Sequence, residues 1–164
     1  MSLVGFTRSC ARGVLIGAIV LWSSMTVAQE SPFGALQGNW KGGGTLTTRE
    51  GRNETIRCRA RYFVSPSGRD LDQHLRCASD SYLFNVISGV VLRRSGSIAG
   101  VWTETTRHVQ GSVRGRFIGD SMVVNISAPG FTAAMTLTTR RDSQIVRIVP
   151  TSGDVASVDI HMRR

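Results

Sequence analysis

The sequence predicts an all-β chain that closes into a single antiparallel up-and-down β-barrel of eight to ten strands, with a β-sandwich as the second choice. Three observations carry this reading. After Pro32 the apolar residues follow period-2 runs, and no convincing amphipathic helix interrupts them. The links between runs are short and rich in Gly, Pro, Ser, Asn and Asp, which makes successive strands antiparallel neighbours. Finally, the phrase aliphatic-x-Gly-x-aromatic occurs three times: Leu36-Gln37-Gly38-Asn39-Trp40, Ile98-Ala99-Gly100-Val101-Trp102 and Val113-Arg114-Gly115-Arg116-Phe117. Positions i, i+2 and i+4 of a strand share a face, so each copy sets an aliphatic, a glycine and an aromatic on one side. Glycine weakens a strand and marks a bend or a close backbone approach. Its repeated use suggests strongly coiled strands that close on themselves.

The chain opens with a segment that reads as a secretory signal peptide, residues 1–28. Arg8 and Arg12 give it a positive start, Val14 to Trp22 is an apolar run, and Ser23 to Ala28 supplies small residues suited to cleavage. The run is about half of the ~20 residues a spanning helix needs. Cys10 precedes the run and belongs to the discarded segment. Cleavage leaves 136 of the 164 residues, enough for one domain with a real core, and lowers the formal charge from +9 to +7. Localisation is then the periplasm or the exterior of a bacterium.

The expected strands are 37–48, 54–64, 70–79, 83–92, 97–106, 111–118, 121–127, 131–140, 144–149 and 155–162. The first contains Gly42-Gly43-Gly44, read as a barrel bend or a strand-end loop. In 83–92, Leu83, Val86, Ile87 and Val90 also fit helical spacing, but the β-branched content and Gly89 favour a strand. The second and third form a hairpin about Ser67-Gly68. Cys58 and Cys77 lie symmetrically about that turn, and an even cysteine pair in an exported protein reads as a disulfide. This register sets Ala60 opposite Leu75 and Val64 opposite Leu71, on an interior face. For the fifth and sixth strands we expect a turn near His108-Val109. Trp102 then faces Gly115, Gly100 faces Phe117 and Glu104 faces Val113, so that each aromatic covers a bare glycine.

Gly38-Asn39-Trp40 resembles the Gly-x-Trp that opens the first strand of lipocalins, and the repeated phrase is similar to avidin strands. Both are calycins, so the resemblance implies a barrel closed around a core or a small pocket. The Thr-Asp-Tyr motif of lipocalins and the later aromatic pair of avidins are missing, which argues against biotin. The chain also resembles small exported proteins of alphaproteobacteria. Gly38-Asn39-Trp40-Lys41-Gly42 is similar to the start of haem-binding nitrobindins, with His161 near the position of their proximal histidine. However, Val158, Ile160 and Met162 form the apolar face of that strand and His161 has the opposite parity, which disfavours haem.

Two residue groups are candidate sites. Trp40, Tyr62, Trp102 and Phe117 share inward parity and are expected to line a pocket for a small apolar or amphipathic ligand, with Glu104 as an inward carboxylate that orients it. The competing reading is a filled core with Glu104 turned to solvent. Opposite in parity to the cysteines are Arg57, Arg59, Arg61, His74 and Arg76, a basic outer face. It either docks on lipid phosphates, acidic polysaccharide or an acidic protein, or is a solvated face balanced by Glu54, Asp70 and Asp72. The basic residues are almost all arginine, Lys41 being the only lysine, which also follows from a GC-rich genome. Nucleic acid is disfavoured for an exported protein without a binding motif.

No nucleophile elbow, zinc-protease motif or phosphate-binding glycine loop is present, and His74, His108 and His161 show no metal-ligand spacing. We expect no enzyme activity, cofactor or metal. The leading function is a ligand-binding barrel. The alternative is a barrel that binds a hydrolase or an envelope component through its basic face.

Overall fold

The computed structural model describes residues 31–164. The expected signal peptide, 1–28, lies outside the described residues. A 3-10 turn, Gly34–Leu36, precedes ten strands: β1 (Gly38–Thr48), β2 (Asn53–Val64), β3 (Asp70–Ala78), β4 (Leu83–Leu92), β5 (Ser97–Glu104), β6 (Val109–Ile118), β7 (Ser121–Ala128), β8 (Phe131–Arg140), β9 (Ser143–Pro150) and β10 (Val155–Arg163). Each strand pairs with its sequence neighbour, and β10 returns to β1, so the sheet is a closed up-and-down barrel of ten antiparallel strands. All ten expected strands form, including 83–92.

Alternation along each strand separates lumen from surface. β2 is the clearest case: Ile56, Cys58, Ala60 and Tyr62 are buried, and Arg57, Arg59, Arg61 and Phe63 are exposed. The β2–β3 register is as expected: Cys58 faces Cys77, Ala60 faces Leu75, Val64 faces Leu71, Arg59 faces Arg76 and Arg61 faces His74. The Cys58–Cys77 disulfide forms inside this hairpin and is buried in the lumen.

Gly42-Gly43-Gly44 lies within β1, at the seam with β10. A Cβ at Gly42 or Gly44 would meet the carbonyl oxygens of His161 and Asp159 respectively. The backbones of the two strands therefore approach as only glycine allows.

Two expectations are corrected. Trp102 faces Gly111 rather than Gly115, Glu104 faces Val109 rather than Val113, and Gly100 faces Val113 rather than Phe117. The turn spans residues 105–108, because His108 accepts a left-handed φ of 56° and the Glu104 carboxylate accepts the Arg107 backbone N–H at 2.6 Å. The shift is an even number of residues, so every side chain keeps its face, and period-2 patterning does not distinguish such shifts. Secondly, the first copy of the repeated phrase is not one strand face. Leu36 belongs to the 3-10 turn, and Gly38, with φ 115°, swings the chain from that turn into β1.

Candidate functional site

The lumen has two halves, named here by the strand turns at each end. The lower end holds the β2–β3, β4–β5, β6–β7 and β8–β9 turns together with the 3-10 turn. Phe33 and Leu36 enter this end fully buried. Phe33 meets Phe117 edge to face at 5.5 Å. The Trp40 indole donates to the Leu36 carbonyl at 2.8 Å, and the Arg164 guanidinium lies 5.0 Å from the Trp40 ring centre. Arg164 also donates to the Gln37 carbonyl at 3.1 Å and pairs with Asp142 at 2.9 Å. These contacts fix the turn as a plug across the lower end.

Above the plug runs a buried polar belt. The Tyr62 hydroxyl donates to Gln144 Oε1 at 3.1 Å, and Gln144 Nε2 donates to Thr139 at 3.3 Å. Ser88 donates to Gln73 Oε1 at 2.9 Å. Burial pushes the Tyr62 phenol up, against the opposing hydrogen bonds of Gln144 and Gln73, so Tyr62 stays neutral and serves as a donor. Trp40, Met122, Leu137, Val146, Ile160 and Met162 belong to the buried core on this side.

The upper half differs. Leu75, Phe84, Val86, Val109, Ile126, Phe131, Met135 and Ile148 are only partly buried although they pack on the core. They gather toward the end that holds the β1–β2, β3–β4, β5–β6, β7–β8 and β9–β10 turns, here termed the upper cup. Trp102 forms part of its wall, meeting Phe131 edge to face at 6.0 Å. The Trp102 Nε1 is buried with no hydrogen-bond partner, alone in this respect among the described residues. Buried donors are nearly always satisfied, and this one lies against the bare backbone of Gly111 without an acceptor in the chain.

Glu104 sits on the rim and is 5% exposed. Its carboxylate accepts the backbone N–H of Asn85 at 2.9 Å as well as that of Arg107. Burial pushes its pKa up, but the backbone hydrogen bonds of Asn85, Arg107 and Thr106 outweigh this and hold it below the usual glutamate value. It clamps the β5–β6 turn to β4. Across the rim, Tyr82 stacks on Phe84 at 6.0 Å and donates to Asp154 at 2.5 Å, tying the β3–β4 turn to the β9–β10 turn.

The five expected pocket residues therefore do not surround one space. Trp102 and Glu104 stand at the upper cup, while Trp40, Tyr62 and Phe117 stand in the packed lower half. Phe33, Gln73, Phe131, Gln144 and Arg164 were not singled out from the sequence. Inward parity marks Gln73 and Gln144 as polar residues on apolar faces. No local signal marks Arg164, whose partners Gln37 and Trp40 lie near the opposite end of the chain.

Arg57, Arg59, Arg61, His74 and Arg76 all point outward and are exposed. No ion pair with a carboxylate involves any of them among the described residues. A surface groove of about 810 Å³ is lined by Arg59, Arg61, His74 and Arg76, and Arg57 lies outside it. No cluster of His, Cys, Asp or Glu fit to hold a metal occurs among the described residues, and no described helix is long and apolar enough to cross a membrane.

No known protein family and no curated protein sequence matches the chain. Solved structures do. An S-type phycobiliprotein lyase from Guillardia theta superposes with a TM-score of 0.59 at 10% identity, over 80% of this chain and 90% of that one. A redesigned β-barrel bound to the small molecule DFHBI gives a TM-score of 0.46 at 15% identity, over 79% and 99%. Another redesigned barrel gives 0.46 at 14% identity, over 84% and 96%. At 10% identity the likeness to the lyase is one of fold alone, a β-barrel.

Proposed function

We propose that this protein is an exported, periplasmic barrel that binds a small, mostly apolar molecule in the upper cup, and that it carries no catalytic machinery. One observation carries the reading: an orphaned indole N–H, Trp102 Nε1, within a partly buried apolar lining. A ligand with an apolar body and one acceptor oxygen or nitrogen would satisfy both. The plug and polar belt make the lower half a scaffold, so the ligand uses the upper end. Glu104, with each oxygen already engaged, acts by holding the rim in place. The fold neighbour of the lyase class supports a lipocalin-type barrel and supplies no ligand. The export assignment rests on the character of residues 1–28 and on the buried disulfide.

The test is a fluorescence titration with the neutral probe N-phenyl-1-naphthylamine, alongside native mass spectrometry of the protein taken from its own host. Trp102→Ala should weaken probe binding at least tenfold, and Arg59→Ala should leave it unchanged. A discrete bound mass that disappears on denaturation would identify the ligand by weight. Probe binding unaffected by either substitution would overturn the assignment.

A further inference from the structure

We propose that the outer groove is a second binding site, built to hold one chain of a linear acidic polysaccharide across the strands. Its construction follows from the pairing of five neighbouring strands. Arg163, Lys41, Arg59 and Arg76 are register partners in succession, from β10 through β1 and β2 to β3. They form one wall. Arg61 and His74, partners one step further along β2 and β3, begin the other wall. The floor is the backbone of Trp40, Ala60, Leu75 and Val86, whose side chains turn inward and leave a trough about 810 Å³ in volume.

The sequence hides this arrangement. Lys41 and Arg163 join the basic cluster only because β1 is the seam strand that stands between β10 and β2. Lys41, Arg59, Arg61, Arg76 and Arg163 form no ion pair with a carboxylate among the described residues. Like charges on paired strands are destabilising, so four in a transverse row raise the free energy of the unoccupied protein. An anionic occupant removes that repulsion.

The geometry selects the occupant. Strands lie about 4.8 Å apart, so the row presents one cation per strand over roughly 14 Å. A polymer with one carboxylate per sugar offers several anionic charges over that length, on successive rings rotated about the chain axis. Arginine forks suit carboxylates. A trough between two walls also admits a single chain, whereas a planar bilayer meets a convex barrel along one line.

The experiment is isothermal titration of the full-length protein with polygalacturonate, set against neutral dextran, phosphatidylglycerol vesicles and single-stranded oligothymidylate. The test variant replaces Lys41, Arg59, Arg76 and Arg163 with Gln. The control replaces Arg93, Arg94, Arg114 and Arg116, an equal charge loss elsewhere on the surface. The expected result is polygalacturonate binding that weakens as salt rises, falls at least tenfold in the test variant and changes less than twofold in the control. Equal losses in both variants would overturn the groove. Vesicles or oligothymidylate bound more tightly than polygalacturonate, with loss in the test variant alone, would keep the groove and overturn its occupant.

Discussion

Gly111→Ala probes whether the indole of Trp102 rests on bare backbone. The added Cβ would stand 2.6 Å from Trp102 Nε1 and 2.7 Å from Cε2, and it would also meet the Ser127 carbonyl oxygen. Non-bonded heavy atoms settle at about 3.5 Å or more, so the indole must retreat by roughly 0.9 Å. The carbonyl cannot retreat, because Ser127 is held in the β6–β7 ladder opposite Ser112. Overpacking of this kind costs about 1–3 kcal/mol. One of the two obstacles is backbone, which places the cost toward the upper end. At about 4 °C per kcal/mol for a domain of this size, Tm should fall by roughly 8–12 °C. The assay pairs thermal unfolding with the indole N–H signals in a ¹⁵N–¹H correlation spectrum. The Trp102 signal should shift, while that of Trp40, bonded to Leu36, stays in place. Gly34→Ala is the control, since its new Cβ has no heavy atom within 4 Å and its φ is ordinary. A Gly111→Ala protein with the Tm and spectrum of the control would refute the stacking of Trp102 on β6.

Two further outcomes follow from the buried clamps. The pKa of Glu104 is depressed on folding, so its stabilisation is complete above the ordinary value of 4.5 and is lost as pH falls through the lower folded value. Glu104→Gln should therefore be less stable than the parent at pH 7, with the gap closing in denaturant titrations below pH 4.5; a gap independent of pH would contradict the clamp. Reducing the disulfide, or replacing Cys58 and Cys77 with Ala, should cost about 3 kcal/mol for the loop it closes. Thermal scans with and without reductant would show this as a drop in the parent alone, and a parent indifferent to reductant would refute the bond.

Much of the fold was legible because period-2 alternation survives in almost every strand. β2 shows it without interruption, and the symmetric placement of Cys58 and Cys77 pinned one register outright. The β5–β6 register was not legible. Its true turn depends on the Glu104 side chain capturing the Arg107 N–H, and that bond leaves no trace in polarity. For the candidate residues only the inward face was legible: parity marked Trp102 and Glu104 as lumen residues, but parity cannot say how deep a residue lies. Trp40, Tyr62 and Phe117 therefore carried the same signal although they pack beneath the cup. Depth is set by the plug, whose Phe33, Leu36 and Arg164 come from opposite ends of the chain. The outer row was legible to Arg59 and Arg76 within one hairpin, and illegible at Arg163, which joins only on closure.

That closure also has a kinetic side. Each hairpin brings together residues a short way apart, and β2–β3 is tied by its own disulfide. The seam that pairs Lys41 with Arg163 must instead gather nearly the whole described chain into one ring. Closing a long loop is entropically costly before any contact compensates it, and non-local pairing of this kind slows folding. Until the seam forms, β1 and β10 expose unpaired edges to other copies of the chain. Closing the seam pairs those edges and removes that exposure.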